Sequence, residues 1–203
     1  MGASAPKPLM PKVANTALDV ASNALFLMGA DSISSFSAST AESKVANALY
    51  EDIVQSSFAS HRWRFATRQV ALTKLDTDPI GRFDSAFHIP SSCVTINAVT
   101  VNDTPIKYDI YQNKVYCDEP STSTVILDFV DRVPESDWPS YFTTAVEFSL
   151  ASTFAITLAR DASLSNLMDQ KSGILFAKAR NIDSQQQTTR KLNTSRFVAQ
   201  RRS

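Results

Sequence analysis

The stretch from Ser136 to Arg160 constrains this chain more than any other. After Ser-Asp-Trp-Pro-Ser-Tyr-Phe it runs through Thr143, Ala145, Val146, Phe148, Leu150, Phe154, Ile156 and Leu158, with Ser and Thr as nearly all the polar remainder. Glu147 is the only charge between Tyr141 and Leu158. A helix with this composition has no wet face and has to be covered on several sides. In a chain of 203 residues, one domain is hard pressed to cover it alone. The expectation is therefore a subunit interface that uses Tyr141, Phe142, Phe148 and Phe154.

Hydrophobic content of 43% and charged content of 20% are those of a globular chain. The formal net charge of zero provides no global field for nucleic acid or membrane. The balance is uneven along the sequence, however. No acid follows Asp183, whereas Arg190, Lys191, Arg196, Arg201 and Arg202 do. The N-terminal Met-Gly-Ala-Ser-Ala-Pro-Lys-Pro has no apolar segment of the kind found in a signal peptide. Pro6 also breaks the myristoylation pattern, which wants Ser or Thr there. Tyr141 to Ala159 approaches membrane-spanning length, but Glu147 and the many hydroxyls argue for a buried helix and no membrane.

Residues 1–11 hold three prolines and read as a disordered lead. A first helix is expected from about Lys12 to Met28, on Val13, Ala17, Val20 and Ala24, with Gly29 ending it. Thr40 caps a second helix that runs to about Arg62, with Ala46, Tyr50, Val54 and Phe58 inward. Residues 64–133 then change period and suggest about five short strands. Asn102-Asp103 and Gln112-Asn113 supply tight turns there. Ser136 or Asp137 caps the organising helix, and Pro139 suits its first turn. A fourth helix begins near Asp161, with a stripe of Leu164, Leu167/Met168, Ile174/Leu175, Ala179 and Ile182.

These pieces give an α+β chain with helical segments at 12–63 and 134–184, a β-rich insertion at 64–133 between helices 2 and 3, and an extended tail at 185–203. In the tail only Leu192, Phe197 and Val198 are large and apolar, so it cannot fold by itself. It admits three readings: a solvated end, docking onto a protein partner through those three anchors, or contact with DNA.

Chemistry is hard to find. There is no phosphate loop, His-Glu metal pair, Gly-x-Ser-x-Gly or calcium loop. Cys93 and Cys117, with His61 and His88 unpaired in sequence, do not make a zinc site; both fall in strand-like sequence, so a disulfide between them is open, and free buried thiols are the stronger reading. His61 reads as a cation at a helix C-terminus. Glu51 and Asp52 are adjacent and so point to different parts of a helix surface. Tyr108, Tyr111 and Tyr116 resemble a stacking platform, but cross-strand packing is the stronger reading. The expectation is no enzyme, no cofactor and no metal.

Four motifs in order carry a resemblance. They are Ala24-Leu25-Phe26-Leu27-Met28-Gly29-Ala30 with Ile33 to Phe36, then Tyr50 to Phe58 with His61-Arg62-Trp63-Arg64-Phe65-Ala66. Phe87-His88-Ile89-Pro90 follows, and then Val133 to Leu158 with Trp138-Pro139 and Phe142. Together they resemble the head-to-tail adaptor proteins of tailed bacteriophages, also called tail tubular protein A. The longer lead and His88 are departures from that family's pattern. The resemblance implies a four-helix bundle body carrying a β insertion. It also implies a structural virion protein that works as a ring, commonly of about twelve copies, between the capsid portal and the tail nozzle. DNA would pass through the bore without specific binding. Localisation would be the neck of the virion, and the host cytoplasm during assembly. The family's C-terminal extension reaches the portal, which assigns portal docking to Arg190, Lys191, Leu192, Arg196, Phe197, Val198, Arg201 and Arg202. The main alternative is a DNA-binding accessory protein acting through the same basic tail.

Overall fold

The computed structural model describes residues 16–76, 79, 81–120 and 123–186. The expected lead at 1–11 and all eight expected portal-docking residues lie outside the described residues.

Helix α1, Ala17–Leu27, starts at a complete capping box. The Thr16 hydroxyl accepts from the Asp19 amide at 3.1 Å, and the Asp19 carboxylate accepts from the Thr16 amide at 3.1 Å. It stops as expected. Gly29 takes φ +81, and the amides of Gly29 and Ala30 return to the carbonyls of Phe26 and Leu25. Only a residue without a Cβ adopts that left-handed turn freely. Helix α2, Ala41–Ala59, is capped by Thr40, whose hydroxyl accepts from the Ser43 amide at 3.2 Å. Ala46, Tyr50, Val54 and Phe58 form its buried stripe. Between the two helices Ile33 is buried, and Phe36 packs on the Tyr50 ring at 5.5 Å.

Seven strands follow: β1 Thr67–Ala71, β2 Ser85–His88, β3 Cys93–Val101, β4 Thr104–Pro105, β5 Asp109–Tyr111, β6 Lys114–Cys117 and β7 Val125–Asp131. They form two antiparallel sheets, ordered β1-β7-β3-β4 and β2-β6-β5. Two turns have two residues each with positive φ, Asn102 (48°) with Asp103 (61°) and Gln112 (50°) with Asn113 (58°). That pattern matches the right-handed twist of the flanking strands, and both turns fall where the sequence placed them.

The stretch expected as one long helix is divided. A short 3-10 turn, Glu135–Asp137, precedes helix α3, Ser140–Phe154. Neither Ser136 nor Asp137 caps α3, because Pro139 occupies the N-cap position and no side chain caps it. A π-helical turn, Ala155–Ala159, ends at Arg160 with φ 54. The Asp161 carboxylate then accepts the amides of Ser163 and Leu164 at 2.9 and 3.0 Å and starts helix α4, Ala162–Gln185. This left-handed residue folds α4 back along α3.

The expected four-helix bundle with a β insertion is not what the chain forms. Among the described residues the fold is mixed α+β, with four helices and two antiparallel sheets. Helices α1, α2 and α4 each pack on α3, and α2 also packs on β3 and β7. The main interior admits Ala66, Val130 and Val133 from the strand region beside Phe58, Trp63, Phe142 and Leu150 from the helices. Strands and helices thus share one core, and the strand region is not an appendage. The physical reason lies in α3, whose apolar surface runs all round it and is closed partly by Trp63, Phe65 and Trp138 from the segments that join helices to strands. A second, smaller core joins the two sheets through Phe87, Val99, Val115, Val125 and Leu127.

Candidate functional site

The burial of α3 is settled inside the single chain. No residue from Tyr141 to Ala155 is exposed. Of the four residues expected at a subunit interface, Phe142 and Phe154 are completely buried and have no surface left for a neighbour. Phe142 packs against Phe58, Trp63, Phe65 and Trp138 at centroid distances of 4.9 to 5.1 Å. Tyr141 and Phe148 are half-buried, and the Lys171 ammonium stands 5.8 Å from the Phe148 ring. The inference from composition to a neighbouring copy fails for the two buried rings because α1, α2 and α4 pack on α3, and Trp63, Phe65 and Trp138 from the segments between helices and strands close over Phe142. Ser140–Ala159 is long and apolar enough to cross a membrane by length and composition, yet half of it is inside the fold.

The C-terminal end of α4 is held by a buried carboxylate. Asp183 is fully buried. One of its oxygens accepts the Arg64 backbone N–H at 2.9 Å, and the other accepts the Tyr141 hydroxyl at 3.1 Å. A buried carboxylate is tolerable only when its lone pairs are met in this way. Burial first, and then the Asp183 charge, push the Tyr141 hydroxyl up to about 12. His61 stands in the same corner. Burial lowers its pKa and the nearby Arg180 and Arg64 lower it further, while Asp183 opposes them. The basic residues after 186 therefore continue from a corner that already holds Arg64 and Arg180.

A second network ties helix to strand. The Arg132 guanidinium donates to both oxygens of Glu51 at 2.9 and 3.0 Å and to Glu135 at 2.6 Å. Tyr50 donates to the same Glu135 oxygen at 3.0 Å. Burial opposes the charge on Arg132, but the two carboxylates outweigh it and raise the pKa. The same contacts hold Glu51 below the usual carboxylate range against the upward pull of burial.

The smaller sheet borders a cleft of about 590 Å³, walled by Leu75, Phe83, Tyr111, Lys114 and Tyr116 among others. Tyr116 meets Tyr111 across β5 and β6 at 5.6 Å, the cross-strand packing expected of these two, and meets Phe83 at 6.2 Å, whereas Tyr108 packs on the smaller core instead. Arg82 pairs with Asp109 and lies 4.8 Å from the Phe83 ring centroid. The described lining residues include no acid, histidine or cysteine, so no acid–base pair converges there. Among the described residues no group of three or more His, Cys, Asp or Glu side chains is placed to hold a metal. Cys93 and Cys117 are free thiols whose pKa values burial raises, which disfavours the reactive thiolate.

Sequence reasoning missed Asp183 and Arg132. Asp183 follows the apolar stripe of α4 and Arg132 stands just past β7, and their partners Arg64, Tyr141 and Glu51 are remote in the chain. No protein-family model matches this chain, and no curated protein matches it either.

Proposed function

We propose that this protein is a head-to-tail adaptor of a tailed bacteriophage. It is a structural virion protein without enzymatic activity. A ring of about twelve copies joins the capsid portal to the tail nozzle and leaves a bore for DNA. The sequence motifs described above are the ground for this reading, and one structural observation carries it further. Asp183 fixes the end of α4 to Arg64 and Tyr141, so the basic segment that follows issues from a rigid point on the body. A segment that orders on a partner gains in effective concentration when its root is fixed. In this mechanism Leu192, Phe197 and Val198 anchor in the portal, and Arg190, Lys191, Arg196, Arg201 and Arg202 meet its acidic groups.

Deletion of residues 188–203 is the test. The shortened protein should keep its circular dichroism spectrum and fail to co-sediment with portal-bearing particles. Undiminished co-sedimentation would end the reading. The cation Arg180, near the root of the tail, favours a second reading, sequence-independent DNA binding. Tight binding of duplex DNA that falls steeply with salt, together with no binding to portal particles, would select that alternative.

A further inference from the structure

The smaller sheet has one face in the second core and the other in the cleft of about 590 Å³. Phe87, Val115 and Cys117 belong to that core, so alternation along the strands turns Ala86, Lys114 and Tyr116 toward the cleft. The register sets Ala86 beside Tyr116 and Lys114 beside Tyr111. Ala86 carries only a methyl group and leaves depth among the rings of Phe83, Tyr111 and Tyr116. Tyr116 meets Phe83 at an interplanar angle of 45° and Tyr111 at 66°, so the cross-strand packing is tilted or edge-on and does not use up the ring faces. Tyr111 is 52% exposed.

The charged groups around the cleft differ in what they are free to do. Arg82 is engaged by Asp109, and the Tyr111 hydroxyl donates to the same carboxylate at 3.2 Å. Asp84, Asp109 and Asp118, the acids on these strands and at their ends, do not line the cleft. Lys114 does line it, and no carboxylate among the described residues pairs with its ammonium. Gln112 borders the cleft from the β5–β6 turn, where its φ of 50 is one that glycine adopts at less cost. A side chain kept in that conformation beside a cavity points to a use for its amide.

We propose that this cleft binds a nucleoside phosphate. The planar base lies over Ala86 among the three rings, the Gln112 amide pairs with the edge of the base, and the Lys114 ammonium meets the phosphate. Aromatic walls favour a flat π-surface over an aliphatic one. The volume falls within the roughly 300–1,000 Å³ of small-molecule sites. The anion is a phosphate because lysine meets phosphate as a point charge, whereas a planar carboxylate is best matched by a forked guanidinium. The guanidinium at hand, that of Arg82, is already taken by Asp109. The same chemistry fits a free nucleotide and a nucleotide exposed in a single strand. The site is independent of the ring reading and of the basic tail.

The test titrates the full chain with adenosine monophosphate, adenosine and ribose 5-phosphate, read by saturation-transfer NMR. The monophosphate should bind saturably, and each fragment at least about tenfold more weakly, since each lacks one half of the recognition. Tyr111→Ala, Lys114→Gln and Gln112→Gly, each checked for native circular dichroism, should each weaken the monophosphate at least about tenfold. Gln112→Gly is the decisive variant, because it relieves the backbone and so loses binding without losing stability. A single-stranded adenylate trimer separates the sources. Trimer binding that is tighter than the monophosphate and falls in all three variants assigns the site to a strand, and trimer binding no tighter assigns it to the free nucleotide. Binding through the basic tail would be indifferent to these substitutions. The proposal is overturned if the monophosphate does not saturate the wild type, if either fragment binds as tightly, or if any of the three variants retains full affinity.

Discussion

Around α3 the interior is aromatic, whereas between the two sheets it is largely aliphatic. Phe58, Trp63, Phe65, Trp138, Phe142 and Phe176 meet ring to ring in the first, and both indole N–H groups donate to backbone carbonyls, Trp63 to Ser57 at 2.9 Å and Trp138 to Val133 at 3.0 Å. The second relies on Val99, Val115, Val125 and Leu127 with Phe87 and Phe129. The aromatic cluster sits where α2 gives way to β1 and where β7 gives way to α3. Ring pairs add specific edge-to-face contacts to the area they bury. Branched aliphatic side chains fit the pleated surface of a sheet. The helix-to-strand junctions should accordingly be the stiffest and least forgiving part of the molecule.

The contrast breaks most readily on truncation. Phe142→Ala should cost about 4 kcal/mol and Leu127→Ala about 3 kcal/mol, because five surrounding rings cannot collapse into the space that Phe142 leaves. Urea denaturation of both variants checks the order, and a reversed order would abolish the distinction. Next in size is the clamp on the aromatic side. Asp183→Ala leaves the Arg64 amide and the Tyr141 hydroxyl without their acceptor and should cost about 2 kcal/mol. Tyr141→Phe removes one of the two bonds and should cost about 1 kcal/mol. Additive losses in the double variant would show that the two groups do not work through one another.

Glu147 sharpens the comparison from another direction, as the one carboxylate in the middle of α3. It is buried and accepts from Asn23 on α1 at 2.7 Å. Burial raises its pKa above the usual 4.5, with the Asn23 hydrogen bond acting in the opposite sense. The folded state therefore holds this proton more tightly than the unfolded state does. Stability contributed by the protonated form is complete below pH 4.5 and is lost as pH rises through the folded-state value. Glu147→Gln keeps an acceptor for Asn23 and should stabilise the protein by about 1 kcal/mol at neutral pH. It should also flatten that part of the pH–stability profile. An unchanged slope in thermal melts between pH 4 and 7 would rule out this account. The smallest expected effect lies on the sheet side. Gln112 holds φ 50, a left-handed conformation that glycine adopts freely. Gln112→Gly should raise stability by about 0.5 kcal/mol, which a shift of the melting midpoint would register.

Local signals were legible in the sequence wherever one residue type decides the geometry. Gly29 ends α1, Thr40 caps α2, and the two turns fall on Asn102-Asp103 and Gln112-Asn113. The stripe of α2 was readable too, since one of its faces is wet and the period is clear. Helix α3 taught less. An apolar surface on every side signals burial but does not say what covers it, and rings from the segments between helices and strands took a place that sequence had given to a neighbouring copy. On α4, Leu167 and Met168 compete for the same inward position, and only packing shows that Met168 wins. The two-residue strand β4 is too short for any period to reveal. Pairs such as Glu51 with Arg132 and Arg64 with Asp183 are remote in sequence, and a single chain carries no mark that joins them. Of the expected site, the docking residues from Arg190 to Arg202 lie outside the described structure, while the corner from which they continue was not foreseen at all.

The Asp183 clamp has a mechanical consequence. Its acceptor bond goes to the backbone of Arg64, three residues before β1 begins. Traction on the chain beyond Gln186 is therefore delivered to the root of a sheet and not spent in unwinding the last turn of a helix. Through β1 and its ladder with β7, from Thr67 opposite Val130 to Ala71 opposite Ile126, that load spreads along a strand pair.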